Sequence, residues 1–166
     1  MPIANEAIQA LINKTAQQEK DLVFKSFDMA DAWEIGQMIR KRILAYGGDA
    51  AIDITVNGLQ LFHCVAGHPV PHNTTWIGRK RNIVLEYWES SYRVTQELLL
   101  SGKTLEERGL STKDYALSGG GFPIRVENLG VVGTVVVSGL PQTHDHQFIV
   151  DAIAEFLGVK TVSILE

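Results

Sequence analysis

Between Val131 and Ser138 the chain reads Val-Val-Gly-Thr-Val-Val-Val-Ser. Successive side chains of a strand point to opposite faces, and here both faces are apolar. The run therefore predicts a strand at the centre of a sheet that is covered on both sides. A chain containing it must supply apolar helical faces for both covers. Residues 29–46 carry Ala32, Ile35, Gly36, Ile39 and Ile43 at three-and-four spacing, behind Asp28 as N-cap and ahead of the terminating Gly47-Gly48. A long helix is expected from Thr74 or Thr75 to about residue 100, stopped by Gly102, with Ile77, Lys80, Val84, Tyr87, Ser91, Val94 and Leu98 along one side. Another, over 143–157, places Ile149, Ala152, Ile153 and Phe156 inward and ends at Gly158. Residues 4–20 form a weaker amphipathic helix through Ile8, Leu11, Ile12 and Thr15.

The remaining strands are shorter. Leu22–Phe24 is a brief one. Ile52, Ile54 and Val56 alternate with Asp53, Thr55 and Asn57, the pattern of a half-buried strand, and Asn57-Gly58 signals a type I′ hairpin into a partner at 59–66. A two-residue turn puts His63 on the Ile52 face. One residue more puts Phe62 and Cys64 there instead, because a single-residue slip flips every side chain. The orientation of His63 stays open on this pattern. Residues 67–73, with Pro69 and Pro71, read as a loop, and 103–117 as a short helix and loop. Pro123–Asn128 is a strand, and Leu129-Gly130 turns it into the valine run. The tail at 159–166 is expected to add an edge strand or pack on a neighbour. Hairpins separated by helices give an α+β fold with a mainly antiparallel sheet.

The 166 residues are expected to form one domain over 1–166, with a helix and short strand over 1–27 and the tail at 159–166. A net charge of −4 argues against a broad nucleic-acid surface. The basic triplets Arg40-Lys41-Arg42 and Arg79-Lys80-Arg81 fan around helices and read as solvated faces. The one cysteine, Cys64, excludes an internal disulfide and a multi-cysteine metal site, and reads as a small buried hydrophobe. Without a secretory or membrane-spanning pattern, the expected location is cytoplasmic, with no membrane partner.

Chemistry concentrates towards the end of the chain. Ser118-Gly-Gly-Gly121 lacks the lysine and spacing of a P-loop, and reads first as a turn leading through Phe122-Pro123 into a strand. His144 and His146 diverge by about 200° on a helix, so those two alone make no zinc site. Thr143 is the expected N-cap there, with Asp145 in the first turn, and a helix N-terminus attracts anions. Lys80 falls on the inward side of its helix, so it must snorkel or meet an anion. Ser90-Ser91 reads as mid-helix packing. No nucleophile motif and no metal-ligand spacing is present.

Trp76 with Lys80, Gly120–Ile124 as Gly-Gly-x-Pro-Ile, and Gly133–Gly139 followed by Asp145-His146 resemble the GlcG/HbpS-like family, also called the heme-degrading-domain family. Ser90-Ser91 and Gly139-Leu-Pro141 resemble its branch in bacteria and fungi for which no reaction is established. The similarity spans about residues 28–157. It implies a five-stranded antiparallel sheet with helices on both faces, in a profilin-like or roadblock-like layout. It also implies homo-oligomers built from dimers, and haem as a ligand of some relatives. No cofactor is identified by the residues themselves, which include no haem-attachment motif.

Together these point to an oligomeric protein binding a small anionic or haem-like molecule. The candidate ligand residues are Trp76, Lys80, Gly119, Gly120, Gly121, Phe122, His144 and His146. An enzyme using His144 or His146 as acid–base group or iron ligand, and a partner-binding adaptor, are the alternatives.

Overall fold

The computed structural model describes residues 2–165. Its elements in chain order are α1 (Pro2–Asp21), β1 (Val23–Phe24), α2 (Met29–Tyr46), β2 (Ala50–Val56), β3 (Leu59–Ala66), α3 (Pro71–Tyr87), α4 (Ser91–Ser101), a short 3-10 turn (Glu106–Arg108), β4 (Gly121–Val126), β5 (Gly130–Ser138) and α5 (Gln142–Leu157). The strands form one five-stranded sheet in the order β1-β4-β5-β2-β3. Every pairing is antiparallel except β1 with β4. The valine run is the middle strand, as its two apolar faces demand. The fold is α+β with a mainly antiparallel sheet.

Helices cover both faces. On one, α2 and α5 bury Ile35, Ile39, Ile43, Ile149 and Ile153 against Ile52, Ile54, Phe122, Ile124, Val135 and Val137. On the other, α3 lays Ile77 against Ala51 and Val136. α2 begins and ends where its sequence says. Asp28 accepts hydrogen bonds from the Ala30 and Asp31 amides in a capping box, and Gly47 adopts the left-handed conformation at φ 76°.

Four expectations need correction. First, β2 is buried on both faces rather than one: Asp53 is fully buried and Thr55 nearly so, because α3 crosses the side that alternation assigns to water. Second, helix α3 starts at Pro71, not at Thr74 or Thr75, so the expected 67–73 loop is shorter. Proline at the first helical position loses no hydrogen bond, and the Asn73 side chain accepts from the Val70 amide at 2.9 Å.

Third, the long helix is two helices. Trp88 takes a left-handed conformation at φ 56°, and Ser90 then caps α4. Glu19 of α1 accepts the buried Ser90 amide at 2.7 Å and pairs with Arg93 at 2.9 Å, fastening α4 to α1. Ile77, Lys80, Val84, Ser91, Val94 and Leu98 are nonetheless all buried. The apolar stripe runs in phase across the break, so periodicity does not register it. Fourth, the segment after α5 forms no strand among the described residues. It folds back on the same chain: Gln18 donates to the Val162 carbonyl at 2.9 Å, and the Ile164 amide donates to Gln147 at 3.0 Å. Residue 166 of the expected tail lies outside the described residues.

The hairpin resolves the orientation of His63 by combining both alternatives. Asn57 and Gly58 form a two-residue turn with positive φ, pairing Val56 with Leu59. A bulge follows on β3, where Leu61 is the extra residue between the Ile54–Phe62 and Thr55–Gln60 pairs. Beyond it Cys64 pairs with Ile52 and Phe62 with Ile54, facing the α2 side, while His63 stands beside Asp53 on the α3 side. Cys64 is partly buried rather than fully so, and burial raises its thiol above the ordinary value.

Candidate functional site

Lys80 points inward from α3, as its place on the apolar stripe requires, and is only 2% exposed. Its Nζ donates to the Val137 carbonyl at 3.0 Å and to Asp145 Oδ2 at 2.9 Å. The anion that a buried lysine needs is thus supplied by the chain itself. Asp145 is equally buried and accepts the Gly139 and Leu140 amides at 3.3 and 3.0 Å. Helix α5 therefore starts at Gln142 behind Pro141, and Thr143 is not its cap. Asp145 reaches back to bind the turn that leads into the helix. Burial pushes the Asp145 carboxyl above its ordinary range, opposed by Lys80, and pushes the Lys80 ammonium below its own, opposed by Asp145.

The glycine run is packed beneath this pair. Gly120, at φ 117°, lies so close that a Cβ there would collide with the Val137 carbonyl and sit 2.8 Å from Lys80 Nζ. Its own carbonyl accepts the Val137 amide at 2.7 Å. The Gly119 amide donates to Gln142 at 3.0 Å and the Gly121 amide to Ser91 Oγ at 2.9 Å. Two of the three amides that a phosphate cradle would use are already engaged. Ser91, expected in mid-helix, stands in the first turn of α4, and its hydroxyl also donates to the Ser118 carbonyl at 2.7 Å. Ser91→Ala would leave the buried Gly121 amide without a partner. A loss of about 1–3 kcal/mol is expected, read as a lower urea midpoint; an unchanged midpoint would show that the loop holds its shape without that hydroxyl.

The two imidazoles part company. His144 is half-buried, its ring 4.9 Å from that of Tyr46 and 5.8 Å from Phe148. His146 is fully buried, against Tyr92 at 5.3 Å and Phe122 at 5.8 Å. Gln18 donates through Nε2 to the Val162 carbonyl and to Gln147, which turns its Oε1 towards His146 Nε2 at 2.7 Å. His146 is therefore the neutral tautomer protonated on Nε2. Its Nδ1 has no partner, and burial lowers its pKa from 6.5 to about 3. Phe122, also fully buried, is on the same core side of the sheet.

Of the eight candidate residues, Trp76 and Lys80 line a common pocket. It has a volume of about 220 Å³ and is bordered also by His72, Ser118, Ser138 and Asp145. Gly119, Gly120, Gly121, Phe122, His144 and His146 do not line it. Trp76 is held in place at the rim: its indole nitrogen donates to His72 Nε2 at 2.7 Å, and the Arg79 guanidinium lies 4.4 Å from its ring centroid. Trp76 also borders a second cavity of about 490 Å³, lined mainly by Leu98, Leu105, Tyr115 and Leu117, with Arg79 in its wall.

The triplet Arg79-Lys80-Arg81 is not a solvated face. Arg79 binds the Thr112 carbonyl at 2.7 Å, Lys80 is buried, and Arg81 pairs with Asp53. Sequence reasoning missed the role of Asp53. It gathers Thr55 at 2.8 Å, Gln60 at 2.5 Å and His63 Nδ1 at 3.3 Å in addition to Arg81. Burial alone would raise its carboxyl, but the Gln60 hydrogen bond and the Arg81 charge hold it below the ordinary value. The available signal was an acidic residue within a strand opposite an inward-facing helix. Among the described residues no three His, Cys, Asp or Glu side chains are grouped to hold a metal ion.

A family model described as haem degrading protein, HbpS-like, matches residues 27–154. A UPF0303 protein of Rhizobium etli is 42% identical over 146 residues, covering 88% of this chain and 89% of its own. The crystal structure of Ybr137w protein superposes with a TM-score of 0.82 at 29% identity, covering 89% of this chain and 87% of that one. The PduOC–haem complex superposes at 0.66 with 14% identity, over 78% and 94% of the two chains, which is a likeness of fold.

Proposed function

The chain belongs to the HbpS-like family, among its UPF0303 relatives, and from that premise we propose that it is a homo-oligomeric small-molecule-binding protein. Its ligand, a small anionic metabolite, is bound at the Trp76–Lys80 pocket. The observation that carries this reading is the buried Lys80–Asp145 pair in the wall of a pocket rimmed by a fixed indole. An ammonium has three N–H donors, and two of those of Lys80 are accounted for by Val137 and Asp145. The third, with the Ser118 and Ser138 hydroxyls, offers donors to a carboxylate or phosphate oxygen. The pair is close to neutral as a whole, so selectivity comes from donors and shape more than from net charge.

Haem is the alternative, favoured by the family description and by the haem complex of the PduOC relative in fold. The candidate residues of this chain do not fit it. At about 220 Å³ the pocket lies below the ~300–1,000 Å³ of drug-sized ligand sites. His146 is enclosed, His144 packs between two rings, and His72 Nε2 already accepts from Trp76. The enzyme reading with His146 as acid–base group meets the same obstacle, since a buried imidazole with a pKa of about 3 exchanges no proton with a ligand near neutral pH.

The test is thermal melting of the native protein with glycolate, inorganic phosphate, haemin and cyanocobalamin in turn. A bound ligand at about 100 times its Kd stabilises by ~2.7 kcal/mol. A shift with glycolate or phosphate that disappears in Trp76→Ala is expected. A shift with haemin accompanied by a Soret band transfers the assignment to haem, and no shift with any probe ends the small-molecule reading at this pocket.

A further inference from the structure

A second, smaller core packs between α3, α4 and residues 103–117. Ile83, Val94, Leu98 and Leu105 are buried in it, with Tyr115 and Leu117 against them. Beside it lies the cavity of about 490 Å³, within the ~300–1,000 Å³ of small-molecule sites. It shares only Trp76 with the lining of the Trp76–Lys80 pocket. Its walls are fastened to α3 at three points. The Ala116 amide donates to the Arg79 carbonyl at 3.4 Å, Asn82 donates to the Asp114 carbonyl at 2.8 Å, and Arg79 donates to the Thr112 carbonyl at 2.7 Å. A cavity whose walls are already held loses little freedom when it is filled.

One group in this apolar wall is out of keeping with it. Arg79 is a permanent cation. Arg42, Arg81 and Arg93 each pair with a carboxylate. Among the described residues Arg79 meets only the Thr112 and Tyr115 carbonyls and the face of Trp76. Of its nitrogens, Nη2 alone makes hydrogen bonds. Nε is buried without an acceptor, and Nη1, which is not buried, has none either. The charge is delocalised over the planar group, so an anion on its free edge would offset it. The other charges of the lining, Lys103 and Glu106, are of opposite sign and offset each other, which leaves Arg79 as the net charge of the wall.

We propose that this cavity binds a monocarboxylate with an aliphatic body, its head group on Arg79 and its chain against Leu98, Leu105 and Leu117. The guanidinium fork matches the two oxygens of a carboxylate, one net positive charge suits a monoanion, and the leucine walls suit hydrocarbon. The proposal does not rest on the smaller pocket, and failure of glycolate and phosphate to bind there leaves it standing.

The test is calorimetric titration of the full chain with octanoate, octan-1-ol and octylammonium near neutral pH. The three share a chain and differ in head group. Octanoate is expected to bind at least about tenfold more tightly than octan-1-ol, the worth of one charge-assisted hydrogen bond, and octylammonium not to bind. Arg79→Gln is expected to abolish the preference for octanoate over octan-1-ol. Because Arg79 also holds the Thr112 carbonyl, a second pair of variants sits on the outer part of the wall, at Leu99, which is 62% exposed. Leu99→Glu is expected to weaken octanoate at least about tenfold by repulsion, and Leu99→Lys to leave it bound. Circular dichroism checks that each variant is folded. No heat with octanoate overturns the site. Equal binding of octanoate and octan-1-ol, or a preference that survives Arg79→Gln, overturns the role of Arg79. Equal effects of Leu99→Glu and Leu99→Lys on octanoate overturn its placement in this cavity.

Discussion

Replacing Asp145 by alanine is expected to destabilise the protein by about 3–5 kcal/mol, the cost typical of removing one partner from a buried ion pair. The side chain neutralises Lys80 at 2.9 Å and accepts two amides of the turn before α5. Its loss leaves a buried ammonium with only the Val137 carbonyl, and two N–H groups without their acceptor. Lys80→Met is the reciprocal change and strands a buried carboxylate. The two are not additive. In Lys80→Met with Asp145→Asn neither residue carries a charge and the amide oxygen still accepts from the turn. The double-mutant cycle in urea is expected to give a coupling of ~1–3 kcal/mol. Additivity within about 0.5 kcal/mol would mean that the two side chains do not act as a pair.

The directions of the two pKa shifts bear on what the pair contributes. Burial displaces each group towards its neutral form despite the partner's attraction. Desolvation therefore exceeds the mutual attraction, and the pair adds little net stability compared with a well-packed apolar substitute. What it does is hold three segments together: α3, the end of β5 and the start of α5. Those segments border the candidate pocket.

Acid unfolding is expected to begin at His146. In the folded protein its pKa is about 3, against an ordinary 6.5. Between those values the unfolded chain takes up a proton that the native imidazole refuses. The His146 contribution is then full above about pH 6.5 and falls as the pH drops towards 3, by ~1.4 kcal/mol per pH unit, while Glu89, whose carboxyl burial raises to about 7, acts in the opposite sense between pH 7 and 4.5. Asp53, with its lowered carboxyl pKa, adds to the loss only at the acid end, below its ordinary 3.8. Urea midpoints of the native protein and of His146→Gln, measured from pH 7 to 4.5, isolate the His146 contribution above the range in which Asp53 titrates. Glutamine still has a donor for Gln18 but does not titrate, so its pH slope is expected to be shallower. Equal slopes would place the acid sensitivity elsewhere.

Much of the architecture was legible residue by residue. Asp28 and Gly47 bound α2, Asn57-Gly58 turns the hairpin, and the valine run lies at the middle of the sheet. Each rests on an interaction between near neighbours or on an alternation of period two. The break at Trp88–Ser90 was not legible, because the apolar stripe stays in phase through it and Glu19, which accepts the amide of the cap residue Ser90, lies seventy-one residues away in α1. The bulge that re-aims His63 was hidden for a related reason. A two-residue turn and a one-residue shift each leave the same local pattern.

The candidate site divides along the same line. Lys80 was placed inward by helical spacing alone, and the need for an anion follows from the cost of burying its charge. That the anion is Asp145, sixty-five residues on, is a fact of packing. Gly119, Gly120 and Gly121 are candidate ligand residues on sequence, but helices α3, α4 and α5 close over them. Composition and period determined an α+β chain with a twice-covered central strand and an inward lysine, since those follow from which side chains leave water. Only the tertiary structure decided which polar groups remain free for a ligand, because each donor's partner comes from a segment that spacing along the chain does not connect to it.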